Sequence, residues 1–398
     1  MRRRVGVLLA ALAAIVLAAA SAQAGMRTQK VTNVTLAGWS SGPDEDTLLN
    51  QVIAVFNKTH PSIHATFQVI NGNYPVAMTA RFAAHNPPDV FYVDSSVAGA
   101  WERQGVLQPL NSFVRKSHFD TSKFFPKLLH AFMKGKTIYG FPKDWSPLAM
   151  EVNNALFAKA GVKIPKTWAQ LKSVAQTMLQ KNVIPGGKPI CLSADWARMG
   201  AFIYQNGGSF AKVTSKATQQ AVAFYVGLIK SGLAATPDKL GASWCGDALG
   251  KGKAAIIFEG NWLIPYMSST YPNVHYGIAP MVRGKQQGNL AFTVSYSMAK
   301  DARNKQAAWT LLSWLVSKKG QQLWMSKGLA LPSRTDVKAV GGRKPFLEAA
   351  PYARGWGFGN PNFANAYTKM GNDLTAVLNG SMSIPKMLSD VAKALKGH

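Results

Sequence analysis

Five apolar residues, Ala254 to Phe258, stand between glycines, with Gly250 and Gly252 before them and Gly260 after. So short a run, rich in β-branched and aromatic residues and lacking polar alternation, is the pattern of a strand buried on both faces. Directly at its carboxyl end come Glu259, Gly260, Asn261 and Trp262. In an open α/β sheet, ligands bind in the crevice beyond the carboxyl ends of the strands. Glu259 offers an acceptor there, Gly260 close backbone approach, Asn261 both donor and acceptor, and Trp262 a flat apolar face. These parts suit a small polar ligand, a sugar above all. The competing reading is a buried strand ending in a turn, with Trp262 in the core.

The rest of the chain supports an α/β fold. Val31 to Trp39 reads as a first strand, and a helix capped by Asp44 or Asp46 runs to about Asn57 with Leu48, Leu49, Val52, Ile53 and Phe56 on one face. Ile63 to Val69 alternates as a second strand. This βαβ unit implies a parallel sheet with a right-handed crossover. Asp89 to Val93 is a further strand, with Asp94 and Ser95 at its carboxyl end. Ile138 to Trp145 is a strand leaving into a loop, and Ile190 to Leu192 precedes the loop Asp195-Trp196. Asn304 to Ser317 and Lys319 to Ser326 read as helices, the second ended by Gly328. A chain of 398 residues suggests two domains.

Residues 1–24 read as a cleavable secretory signal: Arg2-Arg3-Arg4, an apolar run from Val5 to Ala20, and Ala22-Gln23-Ala24. No Cys lies near the cleavage point, so a lipid anchor is not indicated, and the mature chain is expected to be periplasmic or secreted. Lys+Arg number 45 against 18 Asp+Glu, a net charge of +27, of which the three leader arginines carry three and leave +24. The basic residues are scattered with no run of five or six, which argues against a nucleic-acid arm. The excess fits an anionic ligand, acid surroundings, or an anionic envelope surface. The two cysteines, Cys191 and Cys245, are either a disulfide or two buried thiols.

Several segments together resemble one family. They are Phe56-Asn57-Lys58-Thr59-His60-Pro61-Ser62-Ile63, Asn86-Pro87-Pro88-Asp89-Val90, Gly135 to Pro142, Pro165-Lys166-Thr167-Trp168, Gly250 to Trp262, Asn304 to Val316 and Leu331-Pro332-Ser333-Arg334. In this order they are similar to the carbohydrate-binding extracellular solute-binding proteins of bacterial ABC importers, of the maltose- and glycerol-phosphate-binding type. The resemblance implies a two-lobed, type II-like periplasmic-binding-protein fold, each lobe a mainly parallel sheet flanked by helices. It implies a solute held in the cleft, hinge closure, docking on a membrane permease, no catalysis and no cofactor. The expected lobes are discontinuous: 31–142 with 293–343, and 143–292 with 344–398. A monomer is expected, with no nucleic-acid partner.

Ligand candidates follow from position. Trp39, Trp145, Trp196, Trp244, Trp262 and Trp356 lie at strand ends or in loops, where an indole can stack on the C–H face of a sugar. Asp94, Asp144, Asp195 and Glu259 lie near strand ends, where a carboxylate can take charge-assisted bonds from adjacent hydroxyls. Ser40, Ser41, Ser95, Tyr74, Gly260, Asn261 and Tyr296 are further candidates, and Arg334 would grip an anionic ligand such as a glycerophosphodiester or uronate. A hydrolase would pair Glu259 with Asp144 or Asp195, but no spacing supports it. Gly246 to Lys251 is one residue short of a P-loop and leads into a strand. His60 and His64 have helical spacing, but Pro61 argues against a metal pair.

Overall fold

The computed structural model describes residues 31–397 apart from 41, 328–329, 342 and 356–359. The expected leader at 1–24, Ser41, Gly328 and Trp356 lie outside the described residues. Strands β1 (Thr32–Gly38), β2 (Ile63–Val69) and β3 (Val90–Asp94) are parallel, with β1 in the middle. The helix Pro43–Thr59 joins β1 to β2 and buries Leu48, Leu49, Val52, Ile53 and Phe56. It begins at Pro43, whose fixed φ suits a first helical position. Neither Asp44 nor Asp46 caps it; Gly42 holds that place, and Asp44, Glu45 and Asp46 line the first turn, where the helix dipole favours acids.

A small hairpin of β4 (Met133–Lys134) and β5 (Thr137–Ile138) leads into β6 (Gly140–Pro147). A second sheet holds β7 (Ala149–Asn153), β8 (Lys188–Cys191), β9 (Ala234–Ala235), β10 (Ala254–Glu259) and β11 (Tyr276–Ala279), in the order β11-β7-β10-β8-β9. All six residues of β10 are buried; it runs parallel to β8 and antiparallel to β7. The long strand β12 (Asn289–Met298) returns to the first sheet, antiparallel to β3 and β6, and β13 (Ala353–Gly355) adds a short parallel edge. Both sheets are therefore mixed, with helices packed on them.

Each sheet has its own core. Phe141, Tyr296 and Met298 belong to the core of the first, whereas Leu148 and Leu290 belong to that of the second. The paired strands β6 and β12 thus run from one core to the other. Their register shifts between Val294 and Ser295, and such an irregularity bends a ribbon. The helices Phe363–Leu378 and Ile384–Lys396 complete the second core. Cys191 at the end of β8 and Cys245 at the start of the helix Cys245–Gly250 form a disulfide, Cα–Cα 5.5 Å, across 54 residues of sequence. In the chain-entropy view a loop of this size stabilises by about 4 kcal/mol.

Candidate functional site

A cavity of about 180 Å³ opens where the carboxyl ends of the two sheets meet the β6–β12 ribbon. The first sheet contributes Trp39 and Asp94, and the helix behind it Glu45. The ribbon contributes Lys143 to Ser146 and Phe292 to Val294. The second sheet contributes Asn261 and Trp262, and Ala330 closes one side.

On the first wall the polar groups are engaged with one another. Lys143 is 5% exposed. Its ammonium donates to Asp144, lies 3.7 Å from Glu45, and sits over the rings of Trp324 (4.4 Å) and Tyr92 (5.0 Å). The Trp324 indole N–H donates to Asp144 Oδ2 at 3.0 Å. A buried ammonium needs such partners, because an unpaired charge away from water is very costly. Asp94 caps the helix Ser95–Gln104, accepting at Oδ1 from the Ser96 N–H (2.8 Å) and hydroxyl (2.5 Å). Burial raises its pKa against those two bonds. Trp39 stands edge-on to Tyr74 and Tyr92, with centroids 5.1 Å from each.

The second wall is built differently. The Asn261 backbone N–H donates to Ser146 Oγ at 2.9 Å, which pins the loop after β10 to the ribbon. The Asn261 side-chain Nδ2 is buried and has no partner among the described residues. Trp262 stands edge-on to Phe292, centroids 5.4 Å apart, and donates from Nε1 to Glu259 Oε2 at 3.1 Å. The same oxygen accepts from Arg198 at 2.7 Å, and the guanidinium lies 5.7 Å from the Trp262 ring centroid. A Cβ on Gly260 would fall 2.2 Å from that ring, so any side chain there displaces the indole. Beneath, Glu151 Oε2 accepts the Glu259 backbone N–H at 3.0 Å. Burial and the nearby Glu259 charge hold the Glu151 carboxyl well above the usual range. Burial also raises Glu259, with Arg198 opposing.

The cavity therefore brings together Trp39, Asp94, Asp144, Trp145, Asn261 and Trp262 of the residues singled out in the sequence, with Glu259 directly behind Trp262. Others lie elsewhere. Trp196 is fully buried in the second core, its N–H bonded to the Met370 carbonyl. Asp195 caps the helix Trp196–Gln205 and pairs with Arg198. Trp244 packs on Tyr266 beside the disulfide. Tyr74 donates to the Tyr92 carbonyl, and Tyr296 is buried against Tyr92. Ser95 is buried, and Ser40 is exposed and bonded to Asp46. Arg334 is committed to Asp336 at 2.8 Å and to the Val316 carbonyl. Glu45, Lys143, Ser146 and Phe292 to Val294 had not been singled out. Among the described residues no His/Cys/Asp/Glu group is arranged to hold a metal.

A family model described as bacterial extracellular solute-binding protein matches residues 39–322. A Brucella abortus protein described as a putative binding protein is 26% identical over 381 residues, covering 88% of this chain and 89% of that one. An ABC substrate-binding protein of Listeria monocytogenes, in complex with cycloalternan, superposes with a TM-score of 0.83 at 21% identity, over 92% of this chain and 98% of that one. UgpB of Mycobacterium tuberculosis, in complex with glycerophosphocholine, gives 0.79 at 17% identity, over 91% and 97%. At these identities the two structures share the fold.

Proposed function

The chain belongs to the bacterial extracellular solute-binding proteins, and from that premise we propose that it captures a mono- or oligosaccharide in the cavity between its sheets and delivers it to an ABC permease. In this reading it is exported by its 1–24 leader, works outside the cytoplasm as a monomer, and catalyses nothing. The lobes are 31–142 with 293–343 and 143–292 with 344–398. Bending of the β6–β12 ribbon closes them. A solute that touches both walls favours the closed form, and without that difference no shift would occur.

One observation carries the choice of a neutral ligand. Among the described residues the cavity is lined by three tryptophans and three carboxylates, and the one cation there, Lys143, is already held by Asp144 and Glu45. Indoles and carboxylates suit ring C–H faces and hydroxyls. The anionic alternative draws on the +24 charge left once the three leader arginines are taken from the net +27 and on the glycerophosphocholine seen bound in the M. tuberculosis fold relative. Among the described residues the cavity offers it no uncommitted cation, and Arg334 is spent on Asp336.

Calorimetric titration of the mature chain with neutral oligosaccharides, uronates and glycerophosphodiesters, each at low and moderate salt, tests the proposal. A neutral sugar bound tightly and independently of salt is the expected result. Tight binding of anions alone, weakening with salt, would replace it with the anionic reading. Cleavage of the sugar in the cell would revive a hydrolase.

A further inference from the structure

The segment between Asn111 and Ile138 has two unlike sides. It folds as the helix Asn111–Ser117, a 3-10 turn at Thr121–Lys123, the helix Pro126–His130 and the β4–β5 hairpin. Its inner side sends Phe124, Leu129 and Phe132 into the core of the first sheet. Its outer side exposes Arg115, Lys116, Lys123, Lys127, Lys134 and Lys136. The only acid in the segment is Asp120, which lies 3.7 Å from Lys123. Lys134 acts on the half-buried Glu102. Among the described residues Arg115, Lys116, Lys127 and Lys136 have no carboxylate partner. Phe125, 39% exposed, stands between Lys123 and Lys127.

The acids that might have balanced this charge are turned inward. Asp94 and Asp144 line the cavity, and Glu151, Asp247, Glu259 and Asp373 are buried. The exterior is therefore more basic than the net charge alone conveys, and the 111–138 segment carries six exposed cations against the single acid Asp120.

We propose that this outer face holds the protein against an anionic lipid surface. Several exposed cations without carboxylate partners among the described residues, with an exposed aromatic beside two of them, match a flat field of phosphates, which asks for charge and apolar contact and no shaped groove. Phe125 stands edge-on to Trp145 of the cavity, ring centroids 6.4 Å apart, but none of the surface's cations lines that cavity, so substituting them tests the surface without touching the residues that carry the solute reading.

Co-sedimentation with vesicles of roughly 7:3 phosphatidylcholine to phosphatidylglycerol tests it, with pure phosphatidylcholine as the blank. The wild-type chain is expected to bind the anionic vesicles alone, weakening steeply with added salt as charges are screened. The variant R115E/K116E/K127E/K136E should lose at least about tenfold in partitioning. The variant K163E/K172E/K216E/K230E, which removes as many exposed cations from the other core's helices and loops, should stay within about threefold of wild type. If the first variant does not fold, K116A/K127A should still lose about threefold. Equal losses in both four-site variants would show that only diffuse charge acts and overturn the assignment. So would absence of vesicle binding, or displacement by soluble polyphosphate as complete at equal charge as by excess vesicles.

Discussion

The two walls of the cavity use similar residues to opposite ends. On the first, Lys143 pairs with Asp144 and Glu45, and Trp324 donates to Asp144, so the charged groups there are engaged with one another. On the second, Asn261 Nδ2, Glu259 Oε1 and Arg198 Nε are buried without partners among the described residues. A buried polar atom left unpaired costs about 1–3 kcal/mol, and a solute hydroxyl reaching Asn261 would recover part of that. The first sheet also leaves Tyr92 Oη and Ser95 Oγ unpaired among the described residues, but neither residue lines the cavity, whereas Asn261 on the second wall does. The first wall thus fixes the charge of the cavity, and the second presents an unpaired donor at its lining.

The largest effect should come from breaking the first wall. Lys143→Met takes the ammonium away from Asp144 and Glu45 beside the cavity, and breaking a buried pair by removing one partner typically costs about 3–5 kcal/mol. Urea unfolding should register that loss as a lower midpoint with an unchanged slope. A loss under about 1 kcal/mol would mean that water already screens the pair. The second wall should respond in binding instead. Trp262→Ala should weaken the sugar by about 2 kcal/mol, roughly thirtyfold in Kd, while Tm falls by only a few degrees. Unfolding, with binding per folded molecule unchanged, would place Trp262 in the core and the site elsewhere.

Asn261→Ala should cost about 1 kcal/mol of affinity, because one neutral hydrogen bond is lost while the backbone bond to Ser146 remains. Calorimetry against the same sugar would detect it, and unchanged affinity would remove the amide from the site. A pH slope tests the floor beneath the second wall. The Glu151 carboxyl titrates higher folded than unfolded, so the native state keeps a proton that the unfolded chain releases. Its contribution is complete below about pH 4.5, the ordinary value, and is lost as pH rises through the folded value. Glu151→Gln should flatten the decline in urea midpoint as pH rises above the ordinary carboxylate range. An unaltered slope would assign the proton to another group.

How legible each wall was in the sequence differs for physical reasons. The second wall follows a glycine-bounded apolar run, so a strand-end rule reaches Asn261 and Trp262 directly. The same rule fails at Asp195-Trp196, because the helix begins at once and its first residue turns back into the core. On the first wall Asp94 and Asp144 lie near the ends of recognisable strands. Glu45 is hidden as an ordinary acid in a helix first turn, and Lys143 reads as a surface lysine until Tyr92 and Trp324 are seen around it. Phe292 to Val294 alternate like any half-buried strand; the lobe boundary expected at 292–293 came from the family resemblance, and the strand pattern alone does not assign these residues to the cavity. The edge strand β13, Ala353–Gly355, is three residues without strand propensity and is specified only by its pairing with β12.

The central claim is that a solute bridges these two walls and draws them together. Small-angle X-ray scattering of the chain, alone and saturated with the tightest sugar from the calorimetric panel, tests it most directly. A smaller radius of gyration with sugar, abolished in Trp262→Ala, is the result this account predicts. A sugar that binds tightly while the radius stays the same would contradict it.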